Sequence, residues 1–245
     1  MRIVTWNVSR RTPDSTEAQA VLKRVRAEQP DVVCLTEARE GFLSDWADGD
    51  ALSDAGARSK GDAETERMVI LWSRRPWSNR TPIPELSALG GAVSAVTETP
   101  IGPVRVIGIC APYHLVWPER SLERPPAWSQ NIAYLQTLGL ALKASGKDLP
   151  TVVAGKFNQF VPLSSGSWAA HHALNSAMSG FSIVTRGDLA PIGEQSLDHV
   201  AVSSRPRLRA LSVRALDRLD AAGRPLTDHF GVVIELEGGA VQMFD

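Results

Sequence analysis

The chain has 245 residues, 43% hydrophobic and 22% charged, with a formal net charge of -1. These values fit one globular domain over residues 1–245 with ample core, and no stretch is long and apolar enough to span a bilayer. They argue against tight non-specific binding to nucleic acid, which draws on many Lys and Arg contacts to phosphate. Met1-Arg2-Ile3-Val4 lacks a basic region followed by an apolar one, so the protein is read as cytoplasmic, and a monomer is expected. Cys34 and Cys110 sit in apolar runs and read as buried, reduced thiols.

In chain order, strands and helices alternate. Ile3 to Trp6 is the first strand, with Asn7 at its end. Asp14-Ser15-Thr16-Glu17 resembles a capping box, and Ala18, Val21, Leu22 and Val25 then recur at helical spacing until Pro30 stops the helix. Asp31 to Thr36 is a buried strand with Glu37 at its end. Residues 44 to 66 read as a surface loop, and Met68 to Ser73 as a third strand. Gly91–Thr97 and Val104–Cys110 form a hairpin around Pro100-Ile101-Gly102-Pro103, followed by Pro112-Tyr113-His114.

Residues 115 to 127 read as a loop, and Trp128, Ile132, Leu135 and Leu142 as a helix ending near Ala144. Thr151-Val152-Val153-Ala154-Gly155-Lys156-Phe157-Asn158 is an apolar strand that ends abruptly in polar groups, the pattern of a buried strand terminating at a site. Ser167 caps a short helix to Met178. Strands at Phe181–Thr185, His199–Val202, Leu211–Leu216 and Gly231–Leu236 complete the chain.

Chemistry concentrates at strand ends, which present Asn7, Glu37, His114 and Asn158. Leu197-Asp198-His199 and Thr227-Asp228-His229 follow. Each alone is weak, since an Asp-His pair on a turn is more often structural. Side chains at the ends of several strands converge on one site when the strands share a sheet edge.

In this order the set resembles the endonuclease/exonuclease/phosphatase superfamily, over essentially the whole chain. Thr5-Trp6-Asn7 is similar to its first motif, and Asp31 to Glu37 to its second, which ordinarily ends in Gln-Glu. Met68 to Arg75 is similar to its central strand with a Ser-Arg ending. His114-Leu115 is similar to the His-Leu of its phosphodiesterase branches, and Gly155-Lys156-Phe157-Asn158 stands at its Gly-Asp-Phe-Asn motif. Leu197-Asp198-His199-Val200 and Thr227-Asp228-His229 fit the last two.

The resemblance implies a four-layer α/β sandwich, two packed mixed β-sheets flanked by helices. It implies a Mg²⁺- or Mn²⁺-dependent hydrolase of phosphodiesters, DNA or RNA among them. Glu37 would be the main metal ligand, with Asn7 and Asp228 supporting it, and His229, oriented by Asp198, would meet the scissile phosphate. Asn158 and His114 would hold phosphate oxygens. Trp168 is the favoured residue for stacking on a substrate base, with Trp117 also near the site, whereas Trp128 is assigned to helix packing. Ser9, where abasic-site endonucleases carry an acid, together with His114 in place of their tyrosine, points away from that branch.

The departure is Lys156, where the family has a water-activating aspartate. An ammonium is no base while protonated, and it repels a nearby divalent cation by roughly several kcal/mol. Three readings stand: a substitution introduced to silence the enzyme, a natural change marking a non-catalytic phosphate- or nucleic-acid-binding protein, or a lysine supplying the charge a metal would otherwise bring. The sequence is read as a phosphodiester hydrolase impaired by Lys156, the binding protein being the alternative.

Overall fold

The structure is a computed structural model that describes residues 1–54, 65–115, 125–146 and 148–238. The first strand, Arg2–Asn7 (β1), leads into the helix Thr16–Ala27 (α1), whose N-cap Ser15 accepts from Ala18 N. Val32–Arg39 (β2), Asp50–Ser53 (β3) and Glu66–Ser73 (β4) follow. Next come Ser78–Thr81 (β5), the single turn Pro84–Ser87 (α2), and the hairpin Gly91–Thr99 (β6) and Gly102–Cys110 (β7). The helix Ser129–Ala144 (α3) precedes Thr151–Lys156 (β8) and the helix Trp168–Ala177 (α4). Phe181–Ile183 (β9), the pair Asp188–Leu189 (β10) and Glu194–Gln195 (β11), then Asp198–Ser203 (β12), Leu208–Leu216 (β13) and Gly231–Gly238 (β14) complete the order.

Two six-stranded sheets result, ordered β13-β14-β1-β2-β4-β3 and β5-β6-β7-β8-β12-β9. Strand alternation decides the layers. Ile3, Val32, Cys34 and Leu71 face Val106, Val152, Ala154 and Val200 of the second sheet in one core. Their neighbours Val4, Val33, Leu35 and Ile70 point the other way, onto Val21, Leu22 and Val25 of α1. On the far side, Ile107, Ile109, Val153 and Ala201 meet Tyr134, Leu135, Leu138 and Leu174 of α3 and α4. The expected four-layer sandwich of mixed sheets is therefore the architecture.

In each sheet a parallel pair, β1 with β2 and β7 with β8, delivers its C-terminal ends to one edge, and β12 starts there with Asp198 opposite Lys156. Gly155 permits the close approach of β8 to β7: its φ is +127°, and a Cβ would lie 2.1 Å from the Ile109 carbonyl oxygen.

Some elements differ from the sequence reading. The span read as a loop holds β3, paired to β4 as an edge strand, and the buried Trp46, with Phe42 and Leu43 also buried just before it. Its residues 55–64 lie outside the described residues. β5 (Ser-Asn-Arg-Thr) is fully exposed and polar, with no alternation to betray it; pairing with β6 makes it a strand. Glu37 stands inside β2 rather than at its end, with φ +49°. There the ladder to β4 skips a residue, from Thr36 opposite Val69 to Ala38 opposite Arg67. Cys34 and Cys110 are buried free thiols, and burial pushes the Cys34 thiol up to about 12.

Candidate functional site

Five non-glycine residues at this edge, Ser9, Arg10, Glu37, Trp128 and Asn158, have φ between +49° and +71°. Such conformations cost on the order of 1–3 kcal/mol each and persist where surrounding contacts over-determine them. The contacts are visible. Val8 N and Arg10 N donate to the carbonyls of Thr36 and Glu37 at 2.9 and 2.7 Å, locking β1's exit onto β2. Phe157 N and Asn158 N share the Leu197 carbonyl at 3.0 and 3.2 Å, locking β8's exit onto the entry of β12.

The centre of the site is an ion pair. Lys156 Nζ donates to Glu37 Oε1, joining the two sheets; the side chains are only 11% and 16% exposed. Burial lowers the lysine's basicity, but Glu37 outweighs it and the pKa lies above the ordinary lysine value. Lys156 is thus a fixed cation. It also lies within electrostatic reach of Asp198, Asp228 and His229.

Beside it runs a second chain of contacts. His229 Nδ1 donates to Asp198 Oδ2 at 2.5 Å, leaving Nε2 free to face a ligand. Burial pulls the His229 pKa down and Lys156 adds to this, yet the fully buried Asp198 carboxylate outweighs both and holds it above 6.5. Asp228 Oδ1 lies 4.0 Å from His229 Nε2 and accepts from Ser9 Oγ. Burial raises its carboxyl, while Ser9 and His229 bring it below the ordinary value. Asn7 Oδ1 accepts from Ser9 N at 2.8 Å, and among the described residues its buried Nδ2 has no partner, nor does Asp198 Oδ1.

Trp6 positions this loop from below, its indole donating to Thr227 Oγ1 at 3.0 Å and to the His229 carbonyl at 3.1 Å. Gly231 makes room, since a Cβ there would sit 2.3 Å from the indole.

Asn158 and His114 flank the centre. The Asn158 amide donates to the Ala111 carbonyl at 2.7 Å, and His114 stacks on Trp128 with centroids 5.3 Å apart. Trp128 lies just before α3 rather than on its packed stripe, so the packing role expected of it is not what the structure shows. Trp168, the favoured stacking residue, is 70% exposed on the first turn of α4, edge-on to His171. Trp117 lies outside the described residues.

Sequence reading missed the support beneath. Asn131 of α3 is fully buried, donating to the Pro112 carbonyl at 2.8 Å and accepting from Gln159 Nε2 at 3.0 Å. His199 Nε2 meets the Gln159 carbonyl at 2.8 Å, so Nε2 carries the proton and Nδ1 accepts from Thr185 Oγ1. Burial lowers the pKa of His199 and keeps it neutral. The available signals were the polar start Ser129-Gln130-Asn131 of the helix and the pair Asn158-Gln159 after the strand, and both are weak.

The donor set does not fit a divalent cation as it stands. Glu37, the anchoring carboxylate, is occupied by an ammonium. Asn7 Oδ1 already accepts from Ser9 N, and its Nδ2 finds no partner among the described residues. Among the described residues no group of three His, Cys, Asp or Glu is placed to hold a metal.

A four-layer sandwich with carboxylates, amides and a histidine gathered at one sheet edge defines the class, an α/β sandwich with a polar edge site. The model of the Endonuclease/Exonuclease/phosphatase family matches residues 4–229, and the chain belongs to that family, whose members are hydrolases that include nucleases and phosphatases and generally use divalent metals. Among solved structures it is similar to D. rerio TDP2 humanised by 14 mutations (TM-score 0.69, 14% identity, 97% of this chain and 98% of that one). It is also similar to an AP endonuclease from Archaeoglobus fulgidus (0.68, 15%, 96% and 98%) and to the human nocturnin catalytic domain with bound sulfate (0.67, 17%, 98% and 93%). At these identities the likeness concerns the fold. No curated protein matches the sequence. Among the described residues no helix is long and apolar enough to cross a membrane.

Proposed function

We propose that this chain is a phosphodiester hydrolase by scaffold whose turnover is suppressed by Lys156. The observation that carries the reading is the buried pair between Lys156 Nζ and Glu37 Oε1. It occupies the carboxylate that would anchor Mg²⁺ or Mn²⁺ with Asn7 and Asp228, and it replaces the group that would draw a proton from water with one that has no free lone pair. The phosphate-holding half is intact. His229 presents Nε2 with its charged form favoured by Asp198, Asn158 an amide, His114 an imidazole and Lys156 an ammonium, a set suited to spread negative charge on phosphoryl oxygens. In this form the chain binds a phosphodiester, DNA or RNA among the candidates, and cleaves it slowly. Support for nucleic acid comes from neighbours in fold, one of them a D. rerio TDP2 complexed with a single-stranded DNA product.

The test compares the chain with Lys156→Asp on bis-p-nitrophenyl phosphate, plasmid DNA and short single-stranded DNA, each with Mg²⁺ and Mn²⁺. Gain of turnover by orders of magnitude in the variant supports the reading. Equal activity of the two forms would sink it. Phosphodiester binding without turnover in either form favours the alternative, a non-catalytic binding protein, for which the pair at Glu37 is also the supporting observation.

A further inference from the structure

Beside the ion pair lies a pocket of about 380 Å³, within the range of small-ligand sites, bounded by Tyr113, His114, Trp128, Asn158, Phe160 and Leu197. Of its polar members, His114 and Asn158 are the side chains assigned above to the phosphate, and Ser165 is the third. The rest of its wall is Gly166 and aromatic or aliphatic side chains, and none of the described lining residues is a carboxylate. Trp128 is built into it under constraint. Its φ of +71° is a genuine outlier for a bulky residue. The residue makes no side-chain cap for α3. What holds it is its N–H to the His114 carbonyl at 2.9 Å and a near-parallel stack on the His114 ring, 29° between planes. Gly166 keeps the other side open, since a Cβ there would come within 3.2 Å of the indole. Tyr113, half exposed, stands edge-on to His114. The result is a rigid aromatic corner that begins where a phosphate would end.

We propose that this pocket seats the planar ring of a nucleotide, the base packing against Trp128 and Tyr113 over Phe160 and Leu197 while the phosphate lies at Asn158 and His114. The inference rests on the phosphoester reading and adds the substrate class: a nucleotide or nucleic-acid end rather than a sugar or lipid phosphate. Base stacking on aromatic side chains is worth about 1–3 kcal/mol per base and is sequence-tolerant, so the pocket gives affinity with little choice among bases. Trp128, not the outlying Trp168, supplies it.

The full chain is titrated calorimetrically with inorganic phosphate, 2-deoxyribose 5-phosphate, dTMP and dAMP. The nucleotides bind about 5- to 140-fold more tightly than the sugar phosphate, following from the stacking range at 1.4 kcal/mol per tenfold. In Trp128→Ala that ratio collapses to within about twofold, whatever happens to phosphate affinity itself, and in Trp128→Phe most of it survives. If Trp128→Ala does not fold, saturation-transfer NMR on the unaltered chain decides: base protons receive more saturation than sugar protons. Phosphate binding with no gain for nucleotides overturns the base pocket and leaves the phosphoester reading standing. Nucleotide binding without phosphate binding supports the pocket and removes the phosphate assignment. Binding of neither removes both.

Discussion

The Lys156–Glu37 pair makes a quantitative demand on stability. Breaking a buried pair by removing one partner costs about 3–5 kcal/mol, against about 0–1 for exposed pairs. With side chains 11% and 16% exposed, this pair sits near the buried limit. Lys156→Met strands the Glu37 carboxylate and is expected to cost about 3 kcal/mol, which for a chain of this length lowers Tm by roughly 6–12 °C. Glu37→Gln strands the ammonium and costs a similar amount. The double variant removes both charges, so it costs less than the sum by at least about 1.5 kcal/mol. Differential scanning calorimetry of the four proteins closes the cycle. Additivity within about 0.5 kcal/mol would show that the two groups do not hold each other, and the account of a sealed cation seat would fail with it.

Three further outcomes follow from other contacts. Because Asp198 raises the pKa of His229, its ring titrates with a midpoint above 6.5 by NMR, and the stability it contributes is complete below 6.5 and lost as pH climbs through that raised value. Asp198→Asn lowers the midpoint, since Asp228 alone is then left to oppose burial and Lys156; an unchanged midpoint refutes the coupling. Asn131→Leu orphans the Pro112 carbonyl and Gln159 Nε2, costing about 1–3 kcal/mol, and chemical denaturation should show this together with weaker phosphate binding as the segments carrying His114 and Asn158, just past β7 and β8, loosen. Asp54, raised by burial to about 6, binds its proton more readily folded than unfolded, so it erodes stability as pH rises from about 4 through 6. Asp54→Asn removes that slope, and an identical stability–pH profile in the variant counts against it.

What could be read in sequence were the pieces that follow periodicity. The strands that make up both parallel pairs, the hairpin and the polar residues terminating strands show in one dimension, because apolar runs of strand length ending in Gly, Pro or Asn leave few alternatives. The pairing of those ends does not show. Lys156 stands 119 positions from Glu37, and only the packing of two sheets makes them neighbours. Nothing in Thr36-Glu37-Ala38 announces that Glu37 takes a left-handed backbone inside a continuing strand. Trp128 misled for a related reason: an aromatic next to helical spacing normally packs on the helix, and here one residue of offset and a positive φ turn it onto His114 instead.

Charge balance explains how the rest of the site coexists with the lysine. Below the raised pKa of His229, the edge holds three carboxylates, Glu37, Asp198 and Asp228, and two cations, Lys156 and His229, a sum of -1. An aspartate at position 156 would make it four carboxylates against one cation, a sum of -3, in a partly desolvated cleft where like charges about 4 Å apart repel by about 4 kcal/mol at an effective dielectric of 20. A divalent cation would bring that sum back to -1. The lysine therefore makes the edge self-sufficient, and exchanging it should transfer the site's stability onto a metal. Lys156→Asp is expected to melt below the unaltered chain in EDTA and to rise with Mg²⁺, by about 1.4 kcal/mol at a concentration ten times Kd, while the unaltered chain's Tm stays the same with and without chelator. A Tm of the unaltered chain that falls in EDTA would mean that a cation, not the ammonium, balances these carboxylates.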